Sequence, residues 1–327
     1  MQRRHTVTRV RLFSHSDCEN HVPGLGHPES PERVHRVLKA LKTLSPEQIE
    51  PVSDIDLPPE EDILGALKWI HDLDYLERVR TACDGAPTHI DTPDCMVSPG
   101  SWSSLVAGPG LMLRASLDQA SGKFKRSFIA ARPPSHHAER NRARGYCFFN
   151  GVALAAEVLT RASGGPVLIV DIDAHHGNGT QQHFWERADV GYVSVHEYPA
   201  FPGSGSADEI GEGPGKGLTR NVPLAAGGDD SIVVTALENA LEEIGSRIQP
   251  VAVVVSAGFA GHDADPVSGL KMTPDGFRRM TRAIIQASDA WAEGRILSVL
   301  EGGYDLDALA ASAKAHVEVL AGASTVN

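Results

Sequence analysis

Short runs of apolar, often β-branched residues alternate along this chain with longer stretches in which apolar residues return every third or fourth position. The runs at 7–13, 126–131, 167–170, 190–195, 251–255 and 296–300 have the length of strands. Their nearly unbroken hydrophobicity predicts strands covered on both faces, as in a parallel sheet. Proline and glycine punctuate 17–33, out of which Ser30 and Pro31 open a helix with Val34, Val37, Leu38 and Leu41 at helical spacing. Further helices are predicted over 60–69, 74–79, 151–161, 231–247 and 273–294. A longer helical pattern over 101–120 is expected to break at Gly108-Pro109-Gly110. Residues 51–59 and 88–100 read as loops, and 203–217 as a flexible glycine-rich loop without the Lys-Ser/Thr ending of a phosphate-binding loop. Strand and helix in alternation predict an α/β fold, one parallel sheet with helices on both faces. No repeat or linker divides the chain, so 1–327 is expected to be a single domain.

Composition narrows the function. Apolar residues make up 41% and charged residues 22%, an ordinary globular mixture. No apolar run approaches the roughly 20 residues of a membrane span. The basic start, MQRRHTVTRVRLF, has no apolar core of the kind a secretory signal needs. A net charge of -12 argues against direct nucleic-acid binding and suits positively charged partners. Cys18, Cys83, Cys95 and Cys147 are scattered without CxxC spacing, which predicts reduced thiols in a cytoplasmic protein.

The chemistry lies where the strands end, which is where parallel sheets gather ligands. The run at 126–131 leads to His136-His137, and the run at 167–170 to Asp171, Asp173 and His175. The run at 251–255 leads to His262, Asp263 and Asp265, and the run at 296–300 to Glu301-Gly302-Gly303-Tyr304. Each alone has a plain structural reading, as a cap, a turn former or a packed ring. Their convergence at one rim is what points to a site. A catalytic zinc needs three protein ligands and one open position, and two carboxylates with one imidazole supply them while also admitting Fe(II). Asp173 and His175, two residues apart, project to one side of an extended segment. Asp265 can close the set, with Asp263 and His262 as competitors.

Six stretches in this order resemble the zinc-dependent histone deacetylase family, in wording closest to its class II and bacterial members. They are GHPESPERV (26–34), RPPSHHAERNRARGYCFFN (132–150), VDIDAHHGNGTQ (170–181), SVHEYPAFPGSG (194–205), SAGFAGHDADP (256–266) and EGGYD (301–305). The resemblance implies the arginase–deacetylase fold. It implies zinc on Asp173, His175 and Asp265, and a histidine pair in which Asp171 backs His136 and Asn178 backs His137. Tyr304 would donate to the scissile carbonyl, and Gly145, Tyr146 and Phe201 would wall an acyl-lysine channel. A structural potassium ion would use Asp171, Asp173, His175, Ser194 and Val195. A carboxylate partner favours an imidazolium and an amide does not, so His136 is expected to stay charged and His137 to cycle a proton. His176 is expected to have no catalytic role.

Three positions depart from the family pattern. Ser135 replaces a glycine, with a cost if that backbone needs positive φ; Ala260 replaces an aspartate, which is expected to loosen the loop carrying Asp265; Tyr146 replaces a phenylalanine. The implied activity is hydrolysis of an acetyl or short acyl group from acetyl-lysine or an acetylated polyamine, possible in a homo-oligomer. Asp94 and Glu197 are candidate rim carboxylates for a polyamine substrate. The alternatives are an arginase-like ureohydrolase, which the histidine pair and Tyr304 disfavour, and a catalytically weak acyl-lysine-binding protein.

Overall fold

A computed structural model of the chain describes residues 8–53, 55–85 and 87–322. Residues 1–7, with Val7 of the first predicted strand, lie outside the described residues. The strands are β1 (Val10–Ser14), β2 (Ile49–Ser53), β3 (Thr88–His89), β4 (Met96–Val97), β5 (Arg126–Ile129), β6 (Val167–Asp171), β7 (Val190–Glu197), β8 (Thr219–Leu224), β9 (Ala252–Ala257) and β10 (Ile296–Leu300). The α-helices are α1 (Glu32–Leu41), α2 (Glu60–Leu67), α3 (Leu73–Asp84), α4 (Ser101–Ala120), α5 (Gly151–Ser163), α6 (Asn178–Phe184), α7 (Asp230–Ile248), α8 (Pro274–Trp291) and α9 (Leu306–Leu320).

Eight strands form one sheet in the order β2-β1-β5-β10-β9-β6-β7-β8, every neighbouring pair parallel, while β3 and β4 make a separate antiparallel pair. Side chains alternate between two buried layers. Val167 and Ile169 of β6 face a core shared with α2, α3, α4 and α5. Leu168 and Val170 face the opposite core, shared with α1, α7, α8 and α9. The fold is therefore the single-domain α/β sheet with helices on both faces that the pattern predicts. No helix among the described residues is long and apolar enough to cross a membrane.

Helix starts follow from local chemistry. Asp229 accepts from the Ser231 and Ile232 N–H groups at the start of α7, Thr273 caps α8 ahead of Pro274, and Asp305 caps α9. Ser30 does not cap α1: the N-cap position is Pro31, with no side-chain bond, and the Ser30 carbonyl instead accepts from the Arg33 N–H at 3.1 Å.

Three expectations fail for tertiary reasons. α4 runs unbroken through Gly108-Pro109-Gly110. Those residues are buried, and Gly110 leaves room for Ile63, whose Cδ1 would lie 2.8 Å from an added Cβ. Packing of the whole helix thus outweighs the bond that Pro109 removes. The segment expected to be a loop from residue 51 begins inside β2, which tolerates Pro51 because it is an edge strand. The loop 203–217 is pinned, not free: the Glu209 carboxylate accepts from Gly205 N–H at 2.9 Å, Ser206 N–H at 3.1 Å and the Gln181 amide at 2.5 Å.

A buried ion cluster ties the N-terminal loop to the centre of the sheet. Arg132 grips the Glu29 carboxylate with two bonds, at 2.9 and 2.7 Å, and donates a third to the Cys18 carbonyl at 2.8 Å. Arg33 reaches the same carboxylate at 3.2 Å, then donates to the Gly303 carbonyl at 2.7 Å and to the Glu301 carbonyl. All three side chains are fully buried. Burial alone would raise the Glu29 carboxyl, but Arg132, His21 and Arg33 overcome it and hold it at about 2, against an ordinary 4.5.

Glu29→Gln leaves two buried guanidinium groups short of a counter-charge, so a loss on the order of 3–5 kcal/mol is expected in urea melts at neutral pH. Because the folded value is depressed, the carboxylate's contribution is fully present above pH 4.5 and disappears as pH falls toward 2. The gap between parent and variant should close over that same window; a gap independent of pH would refute the ion-pair account.

Candidate active site

β5, β10, β9 and β6 are consecutive in the sheet, so the four strand ends bearing unusual residues open onto one rim. The chain leaving β5 lays His136 and His137 against the start of α6. Gly179 makes that approach possible, since a Cβ there would sit 2.1 Å from the Ala138 carbonyl oxygen. The Gly179 and Thr180 N–H groups, free at a helix start, donate to the His136 carbonyl at 3.1 and 3.2 Å. α6 thereby presents Asn178 to His137, while the end of β6 presents Asp171 to His136.

The two histidines lie in different electrical surroundings. His136 Nδ1 donates to Asp171 Oδ2 at 3.0 Å, and Tyr192 donates its hydroxyl to the same oxygen at 3.2 Å. Burial opposes charge on His136, but Asp171, with Glu301 and Asp173 behind it, prevails and lifts the imidazole to about 10. His137 Nδ1 donates to Asn178 Oδ1 at 2.9 Å. Burial, and then the charges of His136 and His175, hold His137 well below its usual value. With ring centres 4.0 Å apart, one is an imidazolium and the other neutral at pH 7.

Asp173 and His175 follow on the same segment. His175 Nε2 faces the Val267 carbonyl at 3.1 Å. A carbonyl only accepts, so Nε2 carries the proton, and Nδ1 faces Asp173 Oδ1 at 3.2 Å. Two acceptors so placed need a proton or a metal cation to join them. The Asp265 carboxylate accepts from Tyr304 N–H at 2.5 Å, Asp305 N–H at 3.1 Å and Val267 N–H at 3.3 Å. Burial raises its pKa, and so does the nearby charge of Asp173. These donors suit a divalent cation, although no three His, Cys, Asp or Glu side chains among the described residues form a ready-made cage. The competitors point elsewhere: Asp263 is exposed and paired with Lys271 at 2.5 Å, and His262 Nδ1 takes the Ala264 N–H at 3.0 Å.

Of these groups, His137 and His175 open onto a narrow cavity of about 210 Å³, lined also by Asp94, Gly145, Tyr146, Phe201, Val267 and Tyr304, while His136, Asp171, Asp173 and Asp265 lie buried outside its lining. Gly145 and Tyr146 both adopt the left-handed region, at φ 58° and 65°. Tyr146 sets its ring edge-on to Tyr304, with centroids 5.5 Å apart. Burial pushes the Tyr304 hydroxyl well above its usual pKa, and Arg33 lies 4.9 Å over the face of its ring. Asp94 stands at the cavity and accepts from Gly145 N–H at 2.8 Å. Glu197 does not line it; its carboxylate takes Ser268 Oγ at 3.0 Å and Gly269 N–H at 2.6 Å. Ser194 pairs in register with Asp171, and Val195 packs in the apolar core. His176 is occupied by Ser204 and Gln181, at 2.8 and 2.9 Å.

Two departures prove harmless in geometry. Ser135 is not in the left-handed region. Its N–H and hydroxyl both bond the Glu301 carboxylate at 2.5 Å. Ala260 is fully buried in a small apolar cluster with Ala174 and Leu270, bordered by Val267 and Tyr304, so packing supports the loop that carries Asp265. Reading the sequence misses Tyr192, Arg33 and Glu139 as neighbours of the site. Glu301 was visible as the strand-end carboxylate beside Gly302-Gly303, but its partner Ser135 lies 166 residues away.

Comparison with known proteins identifies the family. The histone deacetylase domain model matches residues 27–320. The chain belongs to the histone deacetylase family. It is 34% identical over 323 residues to histone deacetylase 15 of Arabidopsis thaliana, covering 97% of this chain but 56% of that protein's length. Among solved structures it resembles the HDA15 HD domain, with a TM-score of 0.88, 32% identity and coverage of 98% of this chain and 90% of that one. It also resembles the acetylpolyamine aminohydrolase from Burkholderia pseudomallei, with a TM-score of 0.82, 27% identity and coverage of 94% and 97%.

Within this histone deacetylase scaffold Gly145 is a wall residue with no room for a side chain. A Cβ there would lie 2.4 Å from His137 Cδ2 and 3.0 Å from Phe201 Cε1, on a backbone that disfavours L side chains. Gly145→Ala is expected to cost about 1–3 kcal/mol in a urea melt and to displace the His137 ring in a crystal structure. An unshifted ring at full stability would contradict the close-approach argument.

Proposed function

We propose that this chain is a zinc-dependent amidohydrolase that removes acetyl or other short acyl groups from a primary amine on an aliphatic chain. The observation that carries the reading is one narrow cavity shared by a neutral imidazole, His137, a protonated phenol, Tyr304, and the imidazole of His175. Asp173, His175 and Asp265 would hold the zinc, and the same donors accept Fe(II). When bound, such a metal lowers the pKa of water and polarises an amide carbonyl.

The residues of the chain supply the rest. His137 carries its proton on Nδ1, toward Asn178, which leaves Nε2 free to take a proton from the attacking water. The same nitrogen then returns that proton to the departing amine, so the imidazole ends as it began. His136 stays charged beside Asp171 and stabilises negative charge without exchanging its own proton. Tyr304 keeps its phenolic proton and donates to the oxygen that becomes negative in the tetrahedral intermediate. Gly145, Tyr146 and Phe201 fit a methylene chain, and Asp94 places negative charge where a cationic substrate enters. Acetyl-lysine and acetylated polyamines both meet this description, in a cytoplasmic enzyme. A structural potassium ion on Asp171, Asp173, His175, Ser194 and Val195 belongs to the same proposal, supported by the register of Asp171 with Ser194.

Turnover of a fluorogenic acetyl-lysine peptide should vanish with a chelator and return with zinc; chelator-resistant turnover would sink the reading. Tyr304→Phe is expected to lower kcat roughly 10²–10³-fold. His137→Ala should cost roughly 10²–10⁴-fold. If His137→Ala turns over normally while His136→Ala is inactive, the two roles are reversed. Comparing kcat/KM for the peptide with that for acetylputrescine assigns the substrate class.

A further inference from the structure

His137 can serve as a base only in the tautomer that keeps its proton on Nδ1. Asn178 sets that tautomer, but an amide has two ends. With Oδ1 toward His137, at 2.9 Å, it accepts the Nδ1 proton. Turned by half a rotation, it would offer NH₂ instead, move the ring proton to Nε2 and block the base. The His137–Asn178 bond contains nothing that chooses between the two. A carboxylate in place of Asn178 would remove the ambiguity, but it would favour charge on His137 beside the already charged His136.

The choice is made at the other end of the amide. Asn178 Nδ2 donates to Glu139 Oε1 at 2.8 Å and to the His137 carbonyl at 3.3 Å. A carboxylate and a carbonyl only accept, so only the NH₂ end can face them. Glu139 follows His137 by two residues, so one short segment holds the amide at both ends. Arg144 donates to the same Glu139 oxygen at 3.2 Å, and to the Pro202 carbonyl at 3.3 Å. Its guanidinium carbon lies 5.1 Å over the Phe201 ring, which in turn meets the His137 ring edge-on at 5.0 Å. His137, Asn178, Glu139, Arg144 and Phe201 thus form a closed circuit of contacts. We infer that Glu139, clamped by Arg144, is a positioning residue that selects the amide orientation of Asn178 and through it the working tautomer of His137. The inference rests on His137 being the base.

The test uses the zinc-loaded chain and the acetyl-lysine peptide. Glu139→Met removes the acceptor, and Glu139→Gln keeps an acceptor oxygen. Each is made in the parent and in an Asn178→Asp background, where a symmetric carboxylate has no orientation to choose. In the parent, Glu139→Met should lower kcat roughly tenfold to a hundredfold with KM within about twofold, while Glu139→Gln stays within about threefold. ¹⁵N spectra of His137 should lose the Nδ1–H signature in Glu139→Met and keep it in Glu139→Gln. In the Asn178→Asp background the sign reverses: Glu139 then opposes a like charge, and Glu139→Met should raise kcat. An equal loss in both backgrounds would mean a merely structural role and overturn the inference. So would an inactive His137→Ala beside an unchanged Glu139→Met. If His137→Ala itself turns over normally, the base assignment falls first and this inference with it.

Discussion

Two buried imidazoles on adjacent residues, with ring centres 4.0 Å apart, cannot both carry a charge. Much of the rim follows from that limit. Carboxylates gather on the side of His136, with Asp171 on its ring and Glu301 on its backbone N–H at 3.2 Å. An amide stands on the side of His137. Asp173 and Asp265 are buried nearby, while burial lifts the Glu301 carboxyl to about 7.

The second support is mechanical. Arg33 bonds the carbonyls on both sides of the turn after β10 and covers the ring of Tyr304. Arg132 locks the start of the segment that bears the histidines to the same carboxylate that holds Arg33. The acidic and aromatic halves of the site are therefore anchored to one buried cluster, and the positions of His137 and Tyr304 are not independent. Ser135 joins them again, through Glu301.

What the sequence makes legible follows from where each signal lies. Buried parallel strands announce themselves as apolar runs, and their C-terminal residues are adjacent in sequence to those runs, so the site could be read from strand ends. Edge strands and alanine-rich helices carry a weaker signal. β8 (TRNVPL) is polar and holds a proline. α9 (LDALAASAKAHVEVL) is rich in alanine and lacks a clear apolar stripe. α6 is short and polar because its start faces the histidines instead of a core. The partners that orient the site were harder still, because Glu29, Glu139 and Glu301 resemble any other glutamate until the fold brings their donors to them. Ser135 shows the limit most plainly: it departs from the family pattern as a potential strain, and its environment turns it into an additional hydrogen bond.

The place of β10 bears on how the molecule is assembled. It is the last of the described strands in sequence, yet it lies inside the sheet between β5 and β9. Until it arrives, two half-sheets face each other across an empty slot with apolar faces and unpaired backbone edges exposed. The central ladder therefore cannot close until residues 296–300 have been made. The strand that closes it is also the one that delivers Tyr304, so completion of the core and completion of the rim become the same folding event. Contacts of such long sequence separation form slowly.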